Sequence, residues 1–367
     1  MDTSITLTVY IENQEFDINQ IPELHLMYSL DSLLYSCVMK VRDNTNFIEA
    51  SVKYGTSVTL IYKEASSGKT IVNCPLQVLS YSKITTTGSF PLNEFQISLT
   101  SPYYFSQKPI QKAYYGSVSS ILEELSSREF FFKKKDIESS TDTPSVRYQI
   151  RESNYEFMKK IAKYAIRDAT AMFLYSTIKQ DLILKSIKTI MDTPALITLI
   201  PLMDSRVEAS NSKPNTIGMF ATAIYGDGLD ISASQNVLFT TAHTVPEQVS
   251  AIKASIAIKT IIAQETVLAR SNPNPEFGTI ITGWEVPYYD AISQSINNLE
   301  RQNQKVFSVV AIVPCLIHTN VTVGSTVKLY LNDDKSPENG TYYVKHIDHQ
   351  LNDSMLYTKL HLIRIPQ

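Results

Sequence analysis

A chain of 367 residues is long enough to bury two or more hydrophobic cores. Its 21 tyrosines suit β-rich surfaces and subunit contacts, and a net charge of −3 excludes a general attraction to nucleic acid or anionic membrane. By segment, residues 1–105 carry a net −4, 106–200 a net +4 and 201–367 a net −3.

The opening Met1-Asp2-Thr3-Ser4-Ile5 lacks a basic region followed by an apolar stretch, so no secretory signal is expected. Ile5-Thr6-Leu7-Thr8-Val9-Tyr10-Ile11 alternates at the period of a half-buried strand. Leu34–Val41 reads as a second strand, ended by an Asp43-Asn44-Thr45-Asn46 turn. Three further strands follow: Gly55–Tyr62, Val78–Tyr81 and Phe95–Leu99, with turn chemistry at Ser66-Ser67-Gly68 and Thr85–Ser89. Together they predict a β-barrel over residues 1–105.

The pattern changes after Pro109. Val118, Ile121, Leu122 and Leu125 form a helical stripe behind Ser117, its expected cap. A polar loop, Ile137–Ser145, leads into a strand at Arg147–Ile150, then a helix capped by Ser153 or Asn154 with Tyr155, Met158, Ile161, Ala162 and Ala165 on one side. Met172–Tyr175 and Leu182–Leu184 are short strands, giving an α+β module over 106–200. Residues 201–240 read as extended, with turns at Lys213-Pro214-Asn215 and Gly226-Asp227-Gly228. Two helices, 246–269 and 288–304, fall within an insertion over 241–305, and 306–367 completes the second barrel begun at 201–240. The apolar runs near Ala195–Met203 and Val306–Ile317 are interrupted, so no membrane insertion is expected.

The two ends of the chain resemble each other. Gly55-Thr56-Ser57-Val58-Thr59-Leu60-Ile61-Tyr62 is answered by Gly324-Ser325-Thr326-Val327-Lys328-Leu329-Tyr330-Leu331. Val78–Tyr81 answers to Val344–Ile347, and Phe95–Leu99 to Thr358–Leu362, in the same order and at similar intervals. The fold expected is α+β and mainly β: two similar antiparallel β-barrel domains, an α+β module between them and a helical insertion in the second.

Residues that could carry chemistry give no catalytic, cofactor or metal site. Cys37, Cys74 and Cys315 lie among apolar neighbours without CxxC spacing and read as buried small hydrophobes in a reducing compartment. His346 and His349, three apart on a strand, point to opposite faces and cannot share a metal without a bulge, so they are expected at a surface or interface. His25, His243, His318 and His361 lack ligand partners at useful spacing. Glu123-Glu124 and Asp333-Asp334 read as solvated acids and Gly226-Asp227-Gly228 as a turn. Phe130-Phe131-Phe132-Lys133-Lys134-Lys135 reads as a buried aromatic strand end followed by a solvated basic turn.

The run Tyr148-Gln149-Ile150-Arg151-Glu152-Ser153-Asn154-Tyr155-Glu156-Phe157, then Ile161-Ala162 and Met172-Phe173-Leu174-Tyr175, resembles the middle module of the baseplate hub proteins of contractile-tailed phages, relatives of the hub portion of the type VI secretion spike. Val321-Thr322-Val323-Gly324 through Asn332-Asp333-Asp334, then Tyr342-Tyr343-Val344 and His349, is similar to the family's C-terminal hub barrel, and the paired β-units are a third match. Asn154 departs from the Asp that many relatives carry. The resemblance implies a non-enzymatic virion protein, made in the host cytoplasm and placed in the tail baseplate. It implies a homotrimer whose two barrels per chain give a ring of pseudo-sixfold symmetry between a hexameric tail tube, or its initiator protein, and a trimeric central spike. Other baseplate proteins would surround the ring, and DNA would pass through its channel without specific binding. Since Gln367 directly follows the last barrel strand, the spike is expected to be a separate protein. Alternatives are a tail-associated cell-wall hydrolase, disfavoured by the missing carboxylate or Cys/His constellation, the hub of a phage-derived secretion or injection particle, and a nucleic-acid-binding β-barrel, which the net charge disfavours.

Overall fold

The computed structural model describes residues 5–84, 93–168, 170–201, 215–225, 293, 297, 308–331, 338–352 and 354–364. Period-two alternation builds the first third of the chain. Strand β1 (Ile5–Ile11) buries Leu7, Val9 and Ile11 and turns its threonines to the more open face. After it come β2 (Gln14–Phe16), β3 (Glu23–Ser29), β4 (Ser36–Arg42), the short helix α1 (Phe47–Ser51), β5 (Ser57–Glu64), β6 (Thr70–Ile84) and β7 (Glu94–Thr100). The Asp43 carboxylate fixes the turn before α1, accepting from the Thr45 amide at 2.9 Å, the Thr45 hydroxyl at 2.7 Å and the Ile48 amide at 2.7 Å.

The middle of the chain supplies β8 (Ile110–Gly116), α2 (Val118–Ser127), β9 (Lys134–Ile137), β10 (Ser145–Glu152), α3 (Asn154–Ala162), β11 (Ile166–Arg167), β12 (Thr170–Ser176) and β13 (Asp181–Ser186). Both expected caps are present. Ser117 accepts from the Ser120 amide, and Ser153 forms a capping box with Glu156, whose carboxylate takes the Ser153 amide at 2.9 Å. Replacing Ser153 by alanine is expected to cost about 1 kcal/mol, read as a lower urea midpoint at unchanged slope. The remaining elements are α4 (Ile187–Asp192), β14 (Ile197–Pro201), β15 (Thr216–Met219), β16 (Ala221–Tyr225), β17 (Ser308–Pro314), β18 (Thr326–Leu329), β19 (Gly340–Asn352) and β20 (Met355–Ile363).

Three sheets organise these strands. A 14-stranded sheet runs β15-β14-β18-β19-β3-β4-β7-β6-β5-β1-β2, with β20 also on β19, β17 on β20 and β16 on β17. Strands from the two ends of the chain therefore belong to one sheet, joined where β3 pairs with β19 from Ser29↔His346 to Glu23↔Asn352. The module contributes a two-stranded sheet, β10-β8, and a four-stranded one, β11-β12-β13-β9, in which β9 and β13 run parallel.

Two cores follow from this layout. The larger draws residues from both ends of the chain, for example Val9, Leu60 and Ile97 from one and Val309, Tyr343 and Leu360 from the other. The second lies in the module, where Val118, Ile121, Leu122 and Leu125 of α2 and Phe157, Met158 and Ile161 of α3 pack with Leu182 and Leu184 of β13. Strand β12 separates the two, sending Ala171, Phe173 and Tyr175 into the larger core and Met172 and Leu174 into the smaller. That explains its uninterrupted apolar sequence: a strand covered on both faces need not alternate.

Of the expected insertion over 241–305, only Ser293 and Asn297 are described; both are helical and buried, and Asn297 donates to the Ala165 carbonyl at 2.9 Å. The helix at 246–269, the turns at Thr85–Ser89 and Gly226-Asp227-Gly228, the turn at Lys213–Asn215 except for Asn215, His243 and Asn332-Asp333-Asp334 lie outside the described residues. No described helix is long and apolar enough to cross a membrane.

Candidate assembly surfaces

The repeat seen in the sequence is a repeat of hydrogen bonds. At the first copy, the Gly55 amide donates to the Val78 carbonyl at 2.8 Å and the Val78 amide to the Thr56 carbonyl at 3.0 Å. At the second, the Gly324 amide donates to the Val344 carbonyl at 2.8 Å and the Val344 amide to the Ser325 carbonyl at 2.9 Å. The turn before each glycine is closed alike. Lys53 N–H donates to the Thr56 hydroxyl at 3.0 Å, and Thr322 N–H to the Ser325 hydroxyl at 2.9 Å. Both glycines have left-handed φ, +84° and +75°. Just beyond, each ladder slips by one residue, between Val78 and Ser80 on β6 and between Val344 and His346 on β19. A bulge of this kind bends its strand and increases the local twist. The strand order around the two turns also agrees: β5-β6-β7-β4-β3 in one half and β18-β19-β20-β17-β16 in the other. They diverge at the flank, where β1 is antiparallel to β5 but β14 is parallel to β18.

Three of the six histidines lie on the seam between the halves, and His361 lies on the strand beside it. His349, expected at a surface or interface, lies in the core: its ring meets the Tyr28 hydroxyl at 3.2 Å and the Thr358 hydroxyl at 2.9 Å, and burial pushes its pKa down to about 3. His346 is on the opposite face, its ring edge-on to His361 with centroids 5.0 Å apart. Burial, with His346 beside it, lowers the His361 pKa to about 4. On that face His25 bridges Glu23 at 3.1 Å and Asp348 at 3.2 Å. Lys40, hydrogen-bonded to Glu23, holds that carboxyl below its ordinary range. Among the described residues no three His, Cys, Asp or Glu side chains are grouped to hold a metal ion. Cys37, Cys74 and Cys315 are free and buried, and burial raises each thiol pKa.

The aromatic-basic run divides. Phe132 is buried against Tyr103 with ring centroids 4.9 Å apart, whereas Phe130 is 98% exposed; Lys134 and Lys135 begin β9 rather than a free turn. Glu124 is a surface acid paired with Lys112 at 2.8 Å and Arg128 at 2.7 Å.

One surface has no counterpart in the sequence reading. On the β8–β10 sheet the alternation is inverted, with Arg147 and Gln149 buried while Val146, Tyr148 and Ile150 point outward, Tyr148 at 59% and Ile150 at 60% exposure. Tyr115, opposite Val146, is 76% exposed and continues the apolar face. The buried polar side chains have work to do. Gln149 donates to the Glu152 carbonyl at 2.9 Å and to Asn154 Oδ1 at 3.0 Å, and Arg147 stacks over the Tyr164 ring at 4.7 Å. Gln149 thus ties the sheet to the start of α3 and Arg147 to the residue just past its C-terminal cap, and the apolar side is left exposed among the described residues. The signal that would have found this face is the short distance from Gln149 to the Ser153 cap.

The fold is that of phage tail proteins. It is similar along 98% of its length to the tail protein from Neisseria meningitidis MC58, covering 97% of that chain at 11% identity with a TM-score of 0.57. The same shares are covered for the 43 kDa tail protein of prophage MuSo2 from Shewanella oneidensis, at 12% identity and a TM-score of 0.57. It is also similar, at 8% identity and a TM-score of 0.50, to an E. coli component of the type VI secretion system described as resembling the T4 bacteriophage tail proteins gp27 and gp5; the match covers 98% of this chain and 77% of that one. No protein-family model matches the sequence, and no curated protein sequence matches it.

Proposed function

We propose that this chain is the structural hub of a contractile-tail baseplate, a homotrimer that joins a hexameric tail tube to a trimeric central spike. The observation that carries the reading is the duplicated turn, bulge and strand order at the two ends of one chain. Two equivalent β-units per chain turn three subunits into six similar positions, because head-to-tail contacts about one axis close into a ring. One side of such a body matches a sixfold tube; the other, where the two halves differ, matches a threefold spike. We assign residues 1–105 to the first ring-forming barrel, 201–240 with 306–367 to the second, 106–200 to the α+β module and 241–305 to an insertion.

The reading is non-enzymatic and places the protein in the virion tail, among tube, spike and other baseplate proteins. Acidic terminal segments, net −4 and −3, support a channel that DNA traverses without sticking, through like-charge repulsion. The similarity to a secretion-system component favours a second setting for the same body, the hub of a phage-derived injection particle.

Native mass measurement of the purified chain, alone and with its tube and spike proteins, tests the proposal. A threefold mass in either condition is expected, with sixfold end views by electron microscopy. A monomer or dimer in both conditions overturns it.

A further inference from the structure

Each half of the sheet has a strand that runs on past its bulge, but among the described residues only one of these extensions is paired on both sides. In the second half, β19 beyond Val344 carries β20 on one side and β3 on the other. In the first half, β6 beyond Val78 carries β7 on one side, from Ser80↔Ser98 to Ile84↔Glu94, while its β5 ladder stops at Gln77. Among the described residues no strand covers the remaining edge of Ser80–Ile84, where Ser80, Ser82 and Lys83 are exposed and Tyr81 is 39% exposed. The strand that fills the equivalent place on β19 is β3, the far end of the other half. Its counterpart at the far end of the second half is β16, which pairs with β17 along one edge and with no described strand along the other. Ala221, Thr222 and Ala223 of β16 are exposed.

Among the described residues, each chain thus has one acceptor edge on β6 and one donor edge on β16 with no strand against it, while the equivalent acceptor and donor are joined within the chain by the β3–β19 ladder. We propose that β16 of one copy pairs antiparallel with Ser80–Ile84 of β6 in a second copy of this chain, repeating between subunits the ladder that β3 and β19 make within one. Resting on the trimeric hub reading, this names the contact that closes the ring. Both edges are open main-chain donor and acceptor rows, which pair readily with another chain. Because donor and acceptor are different surfaces, the contact is heterologous and closes by rotation.

The existing ladders fix the register. Leu26 lies opposite Cys37, which lies opposite Leu99, which pairs with Val78. In the other half Ile224 lies opposite Val309, which lies opposite Leu362, which pairs with Val344. Ile224 therefore takes the place of Leu26. Leu26 pairs with His349, five residues past Val344, so Ile224 belongs opposite Lys83, five residues past Val78. The neighbouring pairs are then Ser82 with Tyr225 and Ile84 with Ala223.

The test is a disulfide trap in the full chain carrying Ile84→Cys and Ala223→Cys, treated with a mild oxidant and run on a non-reducing gel. Directly opposed residues of an antiparallel pair have Cα separations within disulfide reach. The expected result is a ladder of covalent dimer and trimer that collapses on reduction. Each single variant, and the off-register pair Ile84→Cys with Thr222→Cys, whose side chains fall on opposite faces, should stay at monomer mass; the native cysteines are buried. The native mass of the unoxidised double variant is measured in parallel, at the highest soluble concentration. A trimer by mass with no in-register cross-link, with equal cross-linking off register, or with a disulfide only inside one chain, overturns this contact and leaves the hub reading standing. A monomer throughout, with no cross-link, overturns the contact, and persistence of that monomer with the tube and spike proteins present overturns the hub reading as well.

Discussion

Replacing Gly324 by alanine is expected to lower folding stability by about 3 kcal/mol, whereas the same change at Gly55 should cost only about 1 kcal/mol. The two glycines occupy equivalent turns, with equivalent hydrogen bonds and left-handed φ of +75° and +84°, so the backbone strain from adding a side chain is shared. Their surroundings differ. A Cβ at Gly324 would run into the hydroxyl and ring carbon of Tyr175 and come within 3.5 Å of Leu30, while one at Gly55 would meet, among the described residues, only Phe105, at an ordinary 3.9 Å. Tyr175 has no room to withdraw: it is 2% exposed, on the strand whose two faces separate the two cores. The extra cost at Gly324 is therefore overpacking at the join between the α+β module and the second half of the sheet. Urea unfolding of the two alanine variants reads it directly. Equal losses would show that Tyr175 moves aside, and that this join is looser than its packing implies.

That contrast marks what the sequence can and cannot disclose. The repeat itself was legible: glycine, alternating strand and two further strands recur in order, and the hydrogen bonds and bulges match. Local signals were equally reliable where one residue controls one feature, as at the Ser117 and Ser153 caps. What escaped depends on neighbours distant in the chain. Nothing in Gly324 itself announces Tyr175, 149 positions earlier. The alternation of Val146, Tyr148 and Ile150 shows which residues share a face but not whether that face is covered, and here the polar side is buried because Gln149 and Arg147 serve α3 and its surroundings. His349 misleads similarly. Its sequence neighbours are polar, but β3 arrives from the opposite end of the chain and covers it with Tyr28. The joining of the two halves into one sheet has the same origin, a ladder between residues more than 300 positions apart.

His349 also gives the fold a specific acid sensitivity. Below pH 6.5 the stability of the protein is expected to fall by about 1.4 kcal/mol per pH unit from this residue alone, until the proton finally enters the folded state near pH 3. The sign follows from where the proton binds. In the fold the ring is neutral and held between two hydroxyls, one of its nitrogens donating and the other accepting. A second proton would put a donor against a partner now donating, inside the core. Burial also keeps the Tyr28 hydroxyl protonated, so no charge is available there to compensate. The unfolded chain takes up that proton once the pH drops below 6.5, so it binds more protons than the fold between 6.5 and about 3 and gains stability relative to it; above 6.5 both states are neutral and the term vanishes. His349→Gln keeps a donor and an acceptor at the site but has nothing to titrate. Carboxylates elsewhere destabilise both proteins alike on acidification, so the difference between them isolates the histidine. Urea midpoints at about pH 7 and about pH 5 should give a wild-type loss larger than that of the variant by about 2 kcal/mol. Parallel losses would mean that His349 accepts its proton without unfolding, and that the ladder between β3 and β19 opens to water at the seam joining the two halves.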